Sequence, residues 1–238
     1  MLLQAALNGP YTTTDHPAVP ESVDALVRDA VACVGAGARA VHLHPRDASG
    51  RESLEPAVVD EVVQRVREAC GVPVGVTTGA WIEPSTSWRV SLVKGWRAPD
   101  YASVNVSEDG FVEVMRALLD AGVGVEAGVW TVEDAHALAA SGLAAELTRV
   151  LVEPVGVPQQ EGVALVDAIH AALDAGGVTA PRLQHGDGEA TWVLLRDALR
   201  RGLDTRVGLE DTLRLPDGTT ARDNAELVAA ARALGAGG

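Results

Sequence analysis

Aromatic residues are scarce in this chain. They make up 3% of its 238 residues, as five tryptophans, two tyrosines and one phenylalanine. Hydrophobic residues nevertheless account for 47% of the sequence, so a sizeable core can form. That core must be built from valine, leucine and alanine rather than from stacked rings.

Basic residues are also few. The chain has 19 lysines and arginines against 33 acidic residues, which gives a net charge of −14. Such a surface repels nucleic acid and anionic membranes, so we expect neither as a partner. An anionic substrate would need a local cationic pocket.

Cysteines and long apolar runs are nearly absent. The two cysteines, Cys33 and Cys70, fall in helix-like segments without the spacing of metal ligands, which indicates buried thiols of a cytosolic protein. No run of 18 apolar residues occurs, and the N-terminus lacks the basic start of a signal peptide. We therefore expect a cytoplasmic protein with no membrane span.

Short apolar runs alternate with amphipathic helical patterns along the whole chain. The first helix is predicted from about Pro20 to Gly35. Eight such units at this spacing predict a single-domain (β/α)₈ TIM barrel over residues 1–238, with an open doubly wound sheet as the alternative. The predicted strands are Leu2–Leu7, Ala38–His42, Val72–Thr77, Tyr101–Val106, Val123–Glu126, Arg149–Val152, Arg182–Gln184 and Arg206–Leu209.

The segment from Val41 to Asp47, VHLHPRD, is the most informative motif. Side chains two apart on a strand point to the same face, so His42 and His44 are predicted to project together from the end of the second strand. Two imidazoles placed in this way can bind a divalent metal. A pair of histidines with ordinary local hydrogen bonds is the simpler alternative.

The end of the eighth strand supplies the charged groups that would complete a site. Glu210 can join the two histidines in a His₂-carboxylate metal set, which leaves positions open for substrate. Asp211 can act as a base beside it, and Arg206 would keep a carboxylate ionised. The alternative for Arg206 and Asp211 is a salt bridge that closes the end of the barrel.

Several other strand ends should face the same mouth. Hydroxyls and backbone N–H groups of Thr77, Thr78 and Gly79 could hold a carboxylate or an oxyanion, or could cap a helix. Further contacts with substrate are predicted from Asn8, Asn105 and Glu126, with Glu153 and His185 as additional candidates. His16, His136 and His170 fall in loop or helix patterns and are predicted to be solvated.

These motifs, in this order, resemble the β-keto acid cleavage enzymes, the family of the 3-keto-5-aminohexanoate cleavage enzyme. The resemblance covers essentially the whole chain. The matching stretches are Ala5–Gly9, His16–Pro20, Gly37–His44 with Arg46 and Asp47, Thr77–Gly79, Ser103–Asn105, Val207–Asp211 and Asn224–Val228.

The resemblance implies a zinc-dependent barrel that condenses a β-keto acid with acetyl-CoA, giving acetoacetate and a new acyl-CoA. It implies zinc on His42, His44 and Glu210. It also implies Asp211 as the catalytic base, supported by Arg206 and the hydroxyl of Thr77. We further expect a homo-oligomer, a dimer or a tetramer.

The chain departs from the named member around the substrate. Tyr11 stands where that enzyme has an acidic residue that meets a substrate amine, and Gly128 replaces a second glutamate. Thr77 replaces a serine, Ala80 a glycine and Glu189 an arginine. These changes spare the metal ligands and predict a neutral or anionic β-keto acid as substrate, with Tyr11 among the residues that contact it.

Two other functions fit the same residues. One is a metal-dependent aldolase or hydrolase on this barrel that uses no CoA. The other is a non-catalytic barrel that binds a metal or ligand, in which Asp211 would be dispensable.

Overall fold

The computed structural model describes residues 1–238, and eight parallel strands form the centre of the molecule. The strands are β1 (Leu3–Ala6), β2 (Ala40–Leu43), β3 (Val74–Thr77), β4 (Tyr101–Asn105), β5 (Gly124–Val129), β6 (Arg149–Val152), β7 (Arg182–Gln184) and β8 (Thr205–Val207). The helices between and after them are α1 (Val23–Ala36), α2 (Pro56–Cys70), α3 (Thr86–Val93), α4 (Phe111–Ala121), α5 (Val132–Ala140), α6 (Gln159–Ala175), α7 (Thr191–Arg201) and α8 (Asn224–Ala233).

The strands follow chain order around a nearly closed ring, with β1 paired to both β2 and β8. The ring is completed between β7 and β8 by a single parallel bridge, Leu183 with Asp204. The hydroxyl of Thr205 also donates to the carbonyl of Gln184 across this seam, at 2.8 Å. The predicted (β/α)₈ barrel is therefore confirmed.

Local sequence signals define where the helices begin. The hydroxyl of Ser22 accepts a hydrogen bond from the Ala25 amide at the start of α1. Thr131 and Asp134 form a reciprocal capping box at the start of α5. Each helix then buries an apolar face against the strands, and the buried core is dominated by valine, leucine and alanine, as predicted.

The carboxyl ends of the fifth and eighth strands differ by more than one residue from those predicted. The fifth strand continues to Val129 instead of ending at Glu126, because the run after Glu126 stays paired with β4 and β6. The eighth strand ends at Val207, two residues earlier than predicted. The first difference moves Glu126 away from the mouth, since the carboxyl end of β5 lies three residues beyond it.

Two histidines that were predicted to be solvated are buried. The Nε2 atom of His16 lies 2.9 Å from the carbonyl of Ala221, and that of His170 lies 2.8 Å from the Gln184 side-chain oxygen. Their polar partners come from distant parts of the chain, which a helical or loop pattern cannot reveal. His136 is exposed, as predicted.

Both cysteines are free thiols, Cys33 buried and Cys70 partly buried. None of the helices combines the length and the apolar character that crossing a membrane would need.

Candidate active site

Two histidines and one glutamate meet at the carboxyl end of the barrel. His42 lies within β2, His44 follows that strand directly, and Glu210 follows β8. Glu210 Oε1 is 3.7 Å from His42 Nε2 and 3.6 Å from His44 Nε2. The three residues can each offer one ligand atom, with all three atoms within 4.8 Å of one another.

The donor set fits a divalent metal. Metal–donor bonds of about 2.0–2.2 Å in a tetrahedral site separate neighbouring donors by roughly 3.3–3.6 Å, close to the spacing seen here. One carboxylate oxygen of Glu210, Oε2, is buried and has no hydrogen-bond partner. An unpartnered carboxylate oxygen of this kind is costly unless a cation compensates it.

The ionisation states of His42 and Glu210 also suit a metal ligand set. Burial lowers the pKa of His42 to about 3, so its imidazole is neutral at physiological pH and can act as a ligand. Burial opposes the charge on Glu210, but neighbouring groups, Arg206 first among them, outweigh it and hold the pKa of that carboxyl well below its usual range. Glu210 is therefore a carboxylate.

The side chain of Asn8 holds His44 in place. Its amide nitrogen donates to the His44 carbonyl at 2.9 Å, and its oxygen accepts from the His44 amide at 2.9 Å. Asn8 is fully buried and does not line the cavity. Both ends of its amide pair with the backbone of a neighbouring strand end, and its contact with substrate stays a prediction.

Asp211 forms a buried ion pair with Arg206. The Nη2 atom of Arg206 donates to Asp211 Oδ1 at 2.7 Å and to Glu210 Oε1 at 2.9 Å, so one guanidinium bridges both carboxylates. Burial raises the pKa of Asp211 although Arg206 and His185 oppose the rise. A carboxyl with a raised pKa is a stronger base than an exposed aspartate.

His185 lies next to Asp211 and connects it to Glu153. His185 Nδ1 is 3.7 Å from Asp211 Oδ1, and its Nε2 is 2.7 Å from Glu153 Oε2. The indole N–H of Trp130 donates to the other oxygen of Glu153 at 2.9 Å. Despite burial, these hydrogen bonds keep the pKa of Glu153 below its ordinary value, so it stays ionised and fully partnered.

These groups line a cavity of about 490 Å³ at the barrel mouth. The predicted residues on its wall are His42, His44, Thr77, Asn105, Arg206, Glu210, Asp211 and Tyr11, together with the additional candidates Glu153 and His185. Three aromatic side chains, from Tyr11, Trp81 and Trp130, also lie on the wall, although the chain has few aromatic residues in all.

Thr78 and Gly79, which follow β3, do not line this cavity. The hydroxyl of Thr78 donates to the Ser103 carbonyl at 2.8 Å. Gly79 lies under Trp81, so close that an added Cβ would be 2.4 Å from the indole ring. The contacts of Thr78 and Gly79 with substrate stay predictions, since neither residue lines the cavity. Thr77 faces the cavity, and its hydroxyl accepts from the Gly79 amide at 3.1 Å.

Glu126 lies inside the barrel, below the mouth. It is fully buried, contacts Gln4 at 3.1 Å and forms an ion pair with Arg149 at 3.1 Å. Burial raises its pKa to about 7 although Arg149 opposes the shift. The prediction that Glu126 ends its strand and faces the mouth is wrong, because that strand is longer than the sequence pattern indicated.

Gly128 leaves room for a carboxylate from the neighbouring strand. A Cβ at this position would be 2.5 Å from Glu153 Oε1 and 2.8 Å from Asn105 Oδ1. The named member of the family has a glutamate where this chain has Gly128, and here the carboxylate of Glu153 occupies the space beside Gly128. The cavity keeps a negative charge here, but both oxygens of the Glu153 carboxylate already form hydrogen bonds, one with Trp130 and one with His185.

A second cavity of about 630 Å³ adjoins the first. Tyr11, Asp187 and Asp211 belong to the walls of both. The rest of its wall includes apolar side chains and two arginines, Arg196 and Arg214. Asp211 therefore stands at the junction of two spaces, with the metal cluster on one side only.

Sequence reasoning missed Glu52, Trp81, Trp130 and Glu108. Glu52 is 2.5 Å from His44 Nδ1, and Glu108 accepts from the Asn105 side chain at 2.8 Å. Glu52 and Trp81 come from loops, where no periodic pattern marks a residue.

The fold and this constellation define a (β/α)₈ barrel with a two-histidine, one-carboxylate cluster at the mouth. The chain matches the sequence profile of the β-keto acid cleavage enzymes over residues 1–237. It belongs to that family.

Curated relatives match over a shorter stretch. The 3-keto-5-aminohexanoate cleavage enzyme of Acetoanaerobium sticklandii is 32% identical over 93 residues, which are 39% of this chain and 32% of that protein. The enzyme of the same name from Fusobacterium nucleatum is 30% identical over 93 residues, which are again 39% of this chain and 32% of that protein. A 3,5-dioxohexanoate:acetyl-CoA acetone transferase from Paraburkholderia graminis is 28% identical over 102 residues, 42% of this chain and 33% of that one. The matched stretch thus spans about a third of each relative.

Solved structures share the fold at low identity. ObcA in its binary complex with oxaloacetate superposes with a TM-score of 0.73 and 19% identity, covering 91% of this chain and 63% of that one. A type I 3-dehydroquinate dehydratase from Clostridium difficile gives 0.62 and 12%, over 98% and 91% of the two chains.

Proposed function

We propose that this protein is a zinc-dependent β-keto acid cleavage enzyme that condenses a β-keto acid with acetyl-CoA to give acetoacetate and a new acyl-CoA. The observation that carries the proposal is the position of Asp211. It lies next to the His42, His44 and Glu210 cluster and on the wall of both cavities. Acetyl-CoA as co-substrate is also supported by the name of the Paraburkholderia graminis relative.

The residues divide the chemistry among them. When bound, zinc would polarise the keto group and stabilise negative charge on its oxygen. The carboxylate of Asp211 takes the proton from the carbon between the two carbonyl groups of the β-keto acid. The resulting carbanion attacks the acetyl carbon of the thioester, and CoA leaves as the thiolate.

The second half of the reaction breaks the original chain. The thiolate attacks the original keto carbon of the acetylated intermediate. The bond from that carbon to the central carbon then breaks, which gives the acyl-CoA and the carbanion of acetoacetate. Asp211, still bonded to Arg206, returns its proton to the departing carbanion. The Thr77 hydroxyl lies on the cavity wall as a donor for a developing negative charge.

The two cavities offer separate spaces for the two substrates. We place the β-keto acid in the cavity that contains the metal cluster, with Asn105 and Tyr11 on its wall. We place the thioester arm in the adjoining cavity, where Arg196 and Arg214 provide cationic groups for phosphate. The same wall carries the carboxylates of Asp187, Glu189 and Asp211, so Arg196 and Arg214 are the groups that an anionic co-substrate would have to contact there.

Cytoplasmic location and a homo-oligomeric state complete the proposal. Two free thiols suit a reducing compartment. Trp88 on α3 is 53% exposed, and an exposed tryptophan outside the cavity suits a contact between copies.

A substrate screen tests the proposal. Purified protein with zinc is given a panel of β-keto acids, with and without acetyl-CoA, and acetoacetate and free thiol are measured. We expect acetoacetate only when acetyl-CoA is present, and no net release of thiol. Turnover of keto acids alone would favour an aldolase or hydrolase, and zinc binding without turnover of any pair would favour a non-catalytic barrel.

A further inference from the structure

Glu52 forms a close contact with a proposed metal ligand from outside the cluster. Its Oε1 lies 2.5 Å from Nδ1 of His44, on the side of the ring opposite Glu210. Trp81 donates its indole N–H to the same carboxylate, at 3.1 Å to Oε2. The indole ring also stacks on the imidazole, with 6.0 Å between centroids and 25° between planes.

We propose that Glu52 is a positioning residue that fixes the tautomer and the orientation of His44, and that Trp81 holds the Glu52 carboxylate in that role. This inference rests on the proposed metal site. A carboxylate only accepts hydrogen bonds, so the neutral His44 ring must carry its proton on Nδ1. The lone pair of Nε2 then faces Glu210 Oε1, 3.6 Å away.

The loop that follows β2 positions Glu52 next to His44. An antiparallel bridge joins Arg46 to Glu52, and the Ser53 amide donates to the Pro45 carbonyl at 2.9 Å. The chain therefore folds back on itself within a few residues of His44. Gly79 allows the Trp81 ring to approach from the other side, because a side chain there would overlap it.

Glu52 acts through His44 and does not itself bind the metal. It is outside the set of ligand atoms that lie within 4.8 Å of one another, and it does not line the cavity of the cluster. The Nδ1 atom of His42, in contrast, is buried without a hydrogen-bond partner. The two histidines therefore differ: only His44 has a carboxylate to orient it. Such partners of metal-bound histidines typically contribute 10–100-fold in metal affinity.

Zinc dissociation constants measured by competition with a chelator test this role. We expect Glu52→Gln to weaken zinc binding 10–100-fold, and Trp81→Phe, which keeps the ring but loses the N–H, to weaken it less. Glu55→Gln is the matched control, since Glu55 is exposed, lies three residues away and makes no side-chain cap bond. Its affinity should equal that of the wild type.

A second measurement keeps this inference separate from the proposed metal site. Nitrogen-15 NMR of the histidine rings in metal-free protein, at a pH where they are neutral, should show His44 protonated on Nδ1, and Glu52→Gln should shift this balance. Unchanged zinc affinity in Glu52→Gln, with binding lost in His44→Ala, would overturn the positioning role alone. If the wild type binds no zinc, the metal proposal fails. If NMR shows the His44 ring protonated on Nε2, the proposed tautomer is refuted.

Discussion

The three proposed metal ligands are the residues on which most of the chemistry depends. A double variant, His42→Ala with His44→Ala, leaves Glu210 as the sole ligand and should abolish stoichiometric zinc binding. Metal analysis of the purified protein measures this directly, with His136→Ala, an exposed histidine elsewhere, as the control. Zinc content equal to that of the wild type would show that the ion, if present, is bound by other groups.

Asp211 is the residue that we expect to matter for turnover but not for metal content. Asp211→Asn keeps the shape of the side chain but removes the base, and a positioned acid or base group contributes about 10²–10⁴-fold to rate. Steady-state kinetics of a zinc-replete variant should show a loss of kcat of this size. A kcat near that of the wild type would remove Asp211 from the mechanism.

The acid limb of the pH profile should also report on Asp211. A base must be deprotonated to work, and burial raises the pKa of this carboxyl, so activity should decline at a higher pH than it would for an exposed aspartate.

At the scale of the elements, β5 contains a buried charge that affects stability. The pKa of Glu126 is about 7 in the folded chain against 4.5 for a free glutamate, because burial disfavours its charge more than Arg149 favours it. The folded state therefore holds this proton more tightly than the unfolded state. Stability from this group is fully present below about pH 4.5 and is lost as the pH rises through 7.

Glu126→Gln should remove this dependence. The wild type is expected to lose on the order of 3 kcal/mol from this group between the two pKa values, whereas the variant should not. Urea unfolding at several pH values measures the difference, and Asp120→Asn, in α4, serves as a control for the loss of a carboxylate elsewhere. Parallel stability curves for Glu126→Gln and the wild type would contradict the expectation.

Much of the barrel could be predicted from the sequence because its periodic patterns are local. The placement of His42, His44, Glu210 and Asp211 followed from the rule that parallel strands end at one mouth. Glu126 was misplaced because its strand continues to Val129, and its partner Arg149 comes from the next strand along the chain.

The sequence also gave no sign of two contacts between distant residues. Asn8 pairs with the backbone 36 residues away, and Glu52 meets Trp81 across 29 residues. An amide or carboxylate at a strand end or in a loop can serve substrate or backbone equally well, and the sequence pattern does not distinguish them.

For the whole molecule, the walls of the mouth should determine which β-keto acid is accepted. Tyr11 is neutral, since burial and nearby carboxylates raise the pKa of its phenol, and Glu153 has both oxygens in hydrogen bonds. A substrate ammonium would lose water and gain few partners. We expect a higher kcat/KM for an unaminated six-carbon β-keto acid than for 3-keto-5-aminohexanoate.

A tenfold preference for the aminated compound would contradict this expectation. Glu126 could not explain such a result, because it lies below the cavity. Asp187 could, since it lines the mouth and has no cationic partner, and Asp187→Asn would then remove the preference.

The incomplete pairing between β7 and β8 has a consequence for the motions of the barrel. This seam has one backbone bridge, whereas β4 and β5 are joined over five residue pairs. Local opening should therefore occur here first, and hydrogen–deuterium exchange should be faster at the Gln184 amide, which spans the seam, than at amides between β4 and β5. His185 and Asp211 lie on opposite sides of it, so each such opening would part them and widen the passage to the adjoining cavity. A long thioester could enter through this local opening. Saturating CoA should then slow hydrogen–deuterium exchange at the Gln184 amide and leave the exchange rates of the amides between β4 and β5 unchanged.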